Sequence, residues 1–272
     1  MSLMTFIMTP VLLSLLFISV TCVHLRLLSK TADKTDDFTD VFEGFPRPKT
    51  SKEIPVQPDD IAVPNTWSRN ADPCIVRGCK WPKSGPYVNV PFYISSNYTP
   101  EEQSIIVRGL ESFHKSTCIR FVPWTLLDSD YLHFFSEPES GCWSYLGRQR
   151  GGQYISLEKS KCLQNSKVQH EVLHALGFNH EQVRTDRDKY VQILFKNIKP
   201  ERQYNFRKVE TNNLGTPYDF NSVMHYGKYA FSKNGRPTIA AKSSLIRSFG
   251  NRDRMSKTDV DRVNKLYNCR SE

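Results

Sequence analysis

Two histidines four residues apart, His170 and His174, begin the segment of the chain that is best equipped for chemistry. On an α-helix, residues i and i+4 lie one above the other, so both imidazoles point to the same side. Imidazoles placed in this way can bind one zinc ion, with Glu171 beside them as a base. Gly177 permits the conformation that ends a helix, so that His180 can become a third ligand. Three protein ligands leave a position for water, which predicts a catalytic zinc site; a surface helix that carries histidines by chance is the alternative.

The elements that would position this segment follow from the apolar pattern. Apolar residues alternate from Tyr87 to Ser95, as in a half-buried strand. Thr99 to Glu102 combines an N-cap, a proline at the first helical position and a capping box, which predicts a helix to about Lys115. A capping box at Ser166–Gln169 is predicted to start the zinc-binding helix, and the segment Ser256 to Asp259 is predicted to cap a final helix. Further short strands are expected at 118–122, 131–136 and 154–157.

The first quarter of the chain has the composition of a leader. Residues 1–22 indicate a secretory signal peptide, because an apolar run from Phe6 to Val23 precedes basic residues; an uncleaved anchor is the alternative. Residues 23–69 are rich in Asp, Lys, Thr and Pro with little apolar periodicity, which favours a propeptide. Within it, Asp60 could occupy the open zinc position and keep an enzyme silent, or the segment could be an acidic linker. Residues 70–272 would then form the catalytic domain.

The cysteines indicate an oxidising compartment. Seven are present, and Cys22 is expected to leave with the signal peptide. An even number of six then remains in a secreted chain, which favours three disulfides, but six cysteines allow fifteen pairings and spacing does not choose among them. Zinc thiolate ligands are the alternative, and the sequence has no C-x-x-C pair to support them.

The net charge of the chain limits the kinds of molecule that are expected to bind it. The formal net charge is +9, and the residues after 69 carry thirty Lys and Arg against twenty Asp and Glu. A basic domain is drawn to acidic or polyanionic material, although a solvated surface explains the charge equally well. No base-stacking motif or basic helix points to nucleic acid. After the leader, no apolar stretch is long enough to span a bilayer, so no stable membrane association is expected.

Taken together, the segment from His170 to Asp188 and the shorter one from Ser222 to Tyr226 resemble the astacin family of metzincin zinc endopeptidases. The resemblance covers about residues 70–269. It implies an α+β fold with a mixed twisted sheet and two long helices in the N-terminal lobe. An irregular C-terminal lobe with a final helix would follow, and a zinc cleft would lie between the lobes. By the same resemblance, one Zn²⁺ per subunit is held by His170, His174 and His180, and Glu171 is the catalytic base.

Composition and spacing alone would assign Met224 and Tyr226 to core packing. The resemblance implies a functional role for both. Met224 would lie in the Met-turn beneath the metal. Tyr226 would be the additional tyrosine ligand, whose hydroxyl stabilises the oxyanion once it has moved off the metal. The implied disulfides are Cys118–Cys269 and Cys142–Cys162. A third pair, Cys74–Cys79, resembles the extra pair of six-cysteine fish astacins, which include hatching enzymes.

Activation is implied in the same way. The family's mature N-terminus folds towards the glutamate after the third histidine, here Glu181. Cleavage after Arg69 by a trypsin-like protease, exposing Asn70, would fit. The family's inhibitory aspartate follows a glycine, whereas here Asp59 precedes Asp60, so either aspartate is a candidate for the switch.

Two further segments carry predictions. The extended aromatic stretch Trp143-Ser144-Tyr145-Leu146 could pair with substrate backbone as an added strand, with an ordinary edge strand as the alternative. Asn97 begins a glycosylation sequon whose third residue, Thr99, is also the predicted helix cap.

The sequence therefore predicts a secreted, monomeric zinc endopeptidase, made as a latent zymogen that can be stored in secretory granules. Extracellular proteins would be its substrates, with egg-envelope proteins in first place. A tissue or immune-cell astacin-like protease with another matrix substrate is the alternative enzyme. A secreted zinc-binding module without activity is the alternative from another class, and the presence of Glu171 with all three histidines argues against it.

Overall fold

A computed structural model describes residues 60–62 and 78–270. The predicted signal peptide, most of the predicted propeptide, Arg69, Asn70 and Cys74 lie outside these ranges. Within them, no helix is both long and apolar enough to cross a membrane.

The N-terminal lobe is built on a six-stranded mixed sheet with the strand order β1-β5-β6-β4-β2-β3. Only β5 runs antiparallel to a neighbour, β6; the remaining pairs are parallel. Alternation of apolar residues explains the strands, since Val88 and Val90 point into the core and Asn89 points out. The strands are β1 (Ile61–Ala62), β2 (Val88–Ile94), β3 (Ile119–Pro123), β4 (Tyr131–Phe135), β5 (Cys142–Tyr145) and β6 (Gly152–Leu157).

Two long helices share the core with this sheet, and a short helix lies between them in the chain. Helix α1 (Pro100–His114) has the predicted capping box between Thr99 and Glu102 and buries Ile106, Leu110 and Phe113. A short helix, α2 (Lys159–Cys162), leads into α3 (Asn165–Ala175), which buries Val168, Val172 and Leu173. Helices α1 and α3 approach closely at Gly109, where an added Cβ would lie 2.5 Å from a Val168 methyl carbon.

The predicted capping box at Ser166–Gln169 is wrong. Helix α3 begins at Asn165, before the expected cap, and its N-cap residue Gln164 makes no side-chain capping bond. The backbone carbonyl of Gln164 accepts from the amides of Lys167 and Val168, both at 3.0 Å, so helical bonding has already begun where the capping box would lie.

The C-terminal lobe consists mainly of turns and short 3₁₀ segments. It contains a two-stranded antiparallel sheet, β7 (Val191–Ile193) and β8 (Ile239–Ala241). The final helix α4 (Lys257–Leu266) is capped by Ser256 as predicted, and Ser256 and Asp259 form a capping box. This is the predicted α+β architecture, with both helices of the sheet lobe and the final helix present.

Both implied disulfides among the described residues are present. Cys118–Cys269 joins the residue before β3 to the end of the chain beyond α4, and Cys142–Cys162 joins β5 to α2. Cys79 is also disulfide-bonded, but the predicted partner Cys74 lies outside the described residues. The first bond ties the C-terminal end of the described domain to the sheet, and the second ties β5 to the short helix before α3.

Candidate active site

Helix α3 and the turn that follows it bring three histidines together. His170 and His174 are one helical turn apart, and His174 is completely buried. Gly177 then adopts a φ of +104°, and the amide of Phe178 donates to the carbonyl of Leu173 at 3.0 Å, a pattern typical of a glycine-terminated helix. The chain turns there and places His180 against the other two rings, with ring centroids 4.7 Å and 5.3 Å away.

The three imidazoles present their Nε2 atoms to one point. The Nε2 of His170 lies 3.1 Å from that of His174 and 3.3 Å from that of His180. On the far side of two rings, the Nδ1 of His170 faces the carbonyl of Val223 at 2.9 Å, and the Nδ1 of His174 faces that of Phe178 at 2.7 Å. A carbonyl only accepts, so these Nδ1 atoms carry the protons and their Nε2 atoms present lone pairs.

This arrangement fits zinc. Lone pairs about 3 Å apart in a buried site repel one another unless a cation lies between them. Nitrogens about 2.0–2.1 Å from a tetrahedral zinc are about 3.3 Å from each other, close to the observed separations. Burial holds the pKa of His174 well below its usual value, which favours the neutral imidazole that a metal requires. Outer carbonyls that fix the ring tautomers are typical of zinc-binding histidines.

Asp60 occupies the remaining side of the cluster. Its Oδ2 lies 3.0 Å from the Nε2 of His180 and 3.1 Å from that of His170, and its Oδ1 is 3.8 Å from that of His174. Burial pushes the pKa of Asp60 upwards, but the three histidines outweigh it and the pKa lies well below the usual value. Together these four residues form the one group of potential metal ligands found among the described residues.

The edge of the sheet holds Asp60 in position. Strand β1 adds to the edge strand β5 in parallel, with Ile61 opposite Ser144, and the Ser144 amide donates to the Asp60 carbonyl at 2.9 Å. The predicted substrate strand is therefore an edge that accepts an added strand. The side chains of Trp143 and Ser144 are buried, so their contribution to binding would come from the backbone; Tyr145 is half-buried.

Glu171 lies beside the histidines on α3. It is 1% exposed, and its Oε2 has no hydrogen-bond partner among the described residues. Burial, and then the charge of Asp60, raise the pKa of Glu171 well above its usual value. A buried carboxyl with a free oxygen next to the metal ligands is suited to proton transfer.

The turn beneath the histidines is held by the final helix. Met224 is buried, and its carbonyl accepts from the amide of Glu181 at 3.0 Å. Asp259, the N3 residue of α4, accepts from the Ser222 hydroxyl at 2.6 Å and from the Val223 amide at 2.9 Å. Because the carbonyl of Val223 orients His170, α4 acts on the metal site through this turn.

Tyr226 faces the histidine cluster from the C-terminal lobe. Its ring centroid lies 4.5 Å from that of His180, and Phe206 and Phe231 pack on its other sides. Its hydroxyl is buried without a partner among the described residues. Burial, and then Asp60, raise the pKa of Tyr226 well above its usual value, so the hydroxyl keeps its proton. Tyr226 and Glu171 both line a cavity of about 490 Å³, to which residues of both lobes contribute.

Glu181 is already neutralised from within the domain. Arg262 of α4 binds both of its carboxylate oxygens, at 2.6 Å and 2.9 Å, and Arg184 approaches at 3.3 Å. The Asp219 amide donates to the same carboxylate at 2.8 Å. Burial raises the pKa of Glu181 although both arginines oppose it. The predicted contact with Asn70 lies outside the described residues, and Arg262 is a partner that the sequence did not reveal.

Asn97 is exposed, and its amide nitrogen donates to the carbonyl of Ser136 at 2.9 Å. Thr99 caps α1 as expected. Glycosylation at Asn97 stays a prediction.

The family model for the astacin peptidases matches residues 77–268. High choriolytic enzyme 1 of Oryzias latipes is 41% identical over 237 residues, which cover 86% of this chain and 86% of that protein. Zinc metalloproteinase nas-14 of Caenorhabditis elegans is 42% identical over 192 residues, which cover 70% of this chain and 37% of that protein. The solved structure of high choriolytic enzyme 1, a hatching enzyme zinc-protease from medaka, superimposes with a TM-score of 0.70 at 44% identity and covers 74% of this chain and 100% of that chain.

Proposed function

We propose that this chain, which belongs to the astacin family and is a zinc metallopeptidase, is exported as a latent precursor. Once cleaved, it hydrolyses internal peptide bonds of extracellular proteins. Egg-envelope proteins are the substrates that we favour, because relatives similar to this chain are named choriolytic and hatching enzymes. The observation that carries the proposal is the convergence of three imidazole nitrogens and one carboxylate beside the buried Glu171.

The proposed reaction needs residues that hold zinc, a residue that transfers a proton and a residue that stabilises the oxyanion. Zinc held by His170, His174 and His180 would activate water and polarise the carbonyl of the bond to be cut. Glu171 takes the proton of that water and later delivers it to the leaving amine. The Tyr226 hydroxyl donates a hydrogen bond to the oxyanion that develops on the substrate carbonyl.

Latency is supported by the position of Asp60. Its carboxylate lies within hydrogen-bonding distance of two Nε2 atoms, where a water molecule would otherwise be held. Its strand also occupies the sheet edge that an extended substrate would use. We therefore assign Asp60, rather than Asp59, as the inhibitory residue. A trypsin-like protease that cuts after Arg69 would separate Asp60 from the domain and leave Asn70 as the new N-terminus, with Glu181 as its expected neighbour.

The first experiment compares the full chain with protein that begins at Asn70, each as wild type and as Glu171→Gln, using casein as substrate with and without a zinc chelator. We expect the Asn70 form to cleave casein and the chelator to abolish cleavage. Glu171→Gln should keep one zinc by elemental analysis and lose at least about 100-fold in turnover, because proton transfer contributes about 10²–10⁴-fold. Wild-type turnover in that variant would remove Glu171 from its role.

Latency has a matched pair of variants. In the uncleaved chain, Asp60→Ala should allow casein cleavage, whereas Asp59→Ala should remain silent. The opposite result would reassign the switch to Asp59, and equal activity of the uncleaved wild type and the Asn70 form would contradict latency altogether.

The substrate is tested separately. Isolated fish egg envelopes should be solubilised by the Asn70 form and not by its Glu171→Gln variant. Cleavage of casein without any effect on envelopes would instead favour a tissue protease with another matrix substrate. Failure to cleave either, with zinc bound, would favour the non-catalytic module.

A further inference from the structure

Three consecutive residues after β8 press against the backbone that carries Tyr226. Phe249 is buried, and its ring lies 4.9 Å from the ring of His225. Gly250 follows with a φ of +74°. Its backbone lies against the turn that contains Tyr226 and Gly227. A Cβ added to Gly250 would lie 2.5 Å from the Cα of Gly227 and 2.7 Å from the carbonyl carbon of Tyr226. Those are backbone atoms, which cannot rotate away as a side chain can.

The same contact continues at Asn251. A Cβ atom on Gly227 would lie 3.2 Å from the side-chain nitrogen of Asn251. Gly227 does not have a positive φ, so its lack of a side chain is explained here by the close approach and not by backbone conformation. Residues 249–251, called the backing segment below, thus contact residues 225–227 one after another.

Other contacts fix the backbone and the ring of Tyr226. The backbone amide of Tyr226 donates to the Oε1 of Gln182 at 3.2 Å, and its carbonyl accepts from the Nδ1 of His225 at 2.7 Å. Phe206 and Phe231 pack on the ring. Within the backing segment, Gly250 is the residue that meets the peptide after Tyr226, so Gly250 sets how far back that peptide can lie.

We propose that Gly250 is a positioning residue for the reaction: its bare backbone lets the peptide after Tyr226 sit deep enough for the hydroxyl to reach the reacting carbonyl. The inference rests on the proposed role of Tyr226. A side chain at position 250 pushes the Tyr226–Gly227 peptide towards the cleft and displaces the hydroxyl, while the histidines, which α3 and its turn carry, keep their geometry.

The test uses two glycines with nearly the same backbone conformation. Gly235 has a φ of +71°, and an added Cβ there meets no atom within 4 Å. Gly250→Ala and Gly235→Ala therefore share the cost of an alanine at positive φ and differ in the collision. In the Asn70 form, we expect Gly250→Ala to lower kcat at least 10-fold with KM changed less than about 2-fold and with zinc content unchanged. Gly235→Ala should change neither constant more than about 2-fold.

A double-mutant cycle with Tyr226→Phe separates positioning from general damage. If Gly250 acts through the tyrosine hydroxyl, adding Gly250→Ala to Tyr226→Phe should lower kcat less than about 2-fold further. A full-sized additional loss, or a kcat for Gly250→Ala equal to that of Gly235→Ala, overturns the inference. If Tyr226→Phe alone leaves kcat unchanged, the proposed role of Tyr226 fails; if it lowers kcat and Gly250→Ala does not, only the role of Gly250 fails.

A milder variant serves if Gly250→Ala does not fold. Gly227→Ala collides only with the end of the Asn251 side chain and needs no positive φ. It should lower kcat by a smaller factor, and Gly227→Ala combined with Asn251→Gly should restore it, since glycine also suits the φ of +49° at position 251. Absence of both the loss and the recovery contradicts the inference.

Discussion

Replacement of Arg262 by methionine should destabilise the domain far more than loss of an ion pair on the same helix surface. Arg262 is 7% exposed and binds the carboxylate of Glu181 with two nitrogens. It also donates to the hydroxyl of Thr216 at 2.8 Å and to the carbonyl of Pro217 at 2.9 Å. Methionine fills much of the volume but leaves the buried Glu181 carboxylate with one bond of 3.3 Å from Arg184 and one from the Asp219 amide.

The magnitude follows from these contacts. Removing one partner of a buried ion pair costs about 3–5 kcal/mol. The remaining bonds from Arg184 and the Asp219 amide reduce this cost, while the two lost bonds to Thr216 and Pro217 add about 1 kcal/mol each. We therefore expect a loss of about 3–5 kcal/mol, which lowers the melting temperature of a domain of this size by roughly 6–20 °C.

The matched control lies on the same helix. Lys257 and Asp261 form an ion pair of 2.8 Å whose side chains are 89% and 44% exposed. Such pairs contribute about 0–1 kcal/mol, so Lys257→Met should lower the melting temperature by no more than about 2–4 °C. The assay is urea and thermal unfolding of the full chain in a Glu171→Gln background, which prevents self-digestion.

A second substitution, at Glu181, should rescue much of the lost stability. Glu181→Gln keeps an oxygen for the Asp219 amide and removes the unpaired charge, so it should recover at least about 2 kcal/mol of the loss caused by Arg262→Met. Equal destabilisation by Arg262→Met and Lys257→Met, or an additive double mutant, would refute the idea that Arg262 neutralises a buried Glu181.

Three other outcomes can be checked by the same unfolding measurements. Gly109→Ala should cost about 1–3 kcal/mol, because its Cβ would meet Val168 at 2.5 Å, and Val168→Ala should recover part of that loss. Burial lowers the pKa of His133 to about 4, so its neutral ring contributes stability that is complete above about pH 6.5 and declines towards pH 4; His133→Gln should therefore flatten the fall in the urea midpoint between pH 7.5 and pH 5. Replacing Cys118 and Cys269 by serine should cost more than removing the other bridge described above, because sequence separations of 151 and 20 correspond to about 5 and 3 kcal/mol of loop entropy; equal losses would contradict this reasoning.

How much the sequence could reveal depended on how local each interaction is. The histidine spacing, Gly177 and the caps at Thr99 and Ser256 are decided within one or two helical turns, and all of them could be read directly. The start of α3 could not be predicted in this way. Ser166 and Gln169 match a capping-box pattern, but the carbonyl of Gln164 already accepts helical hydrogen bonds, so the helix begins before Ser166.

Interactions between distant segments had no such signal. Arg262 lies 81 residues from Glu181, and nothing in its neighbourhood distinguishes it from a surface arginine. Gly250 stands in a loop where a glycine is ordinary, and only the position of Gly227 shows that a side chain is excluded. The histidines that the structure brings together could therefore be predicted, whereas the residues that hold them in place could not.

The addition of β1 to the sheet edge has a consequence for the proposed latency, because it determines the effective concentration of Asp60 at the histidine cluster. While the chain is intact, Asp60 is tethered to its own site through residues 63–77, and short tethers give effective concentrations of order millimolar. A single cut in that stretch leaves a two-residue strand and one carboxylate to compete as a free peptide, at whatever concentration the precursor had. Under the latency that we propose, inhibition within one molecule would then be lost by dilution, so a released leader would need no further degradation for the enzyme to stay active.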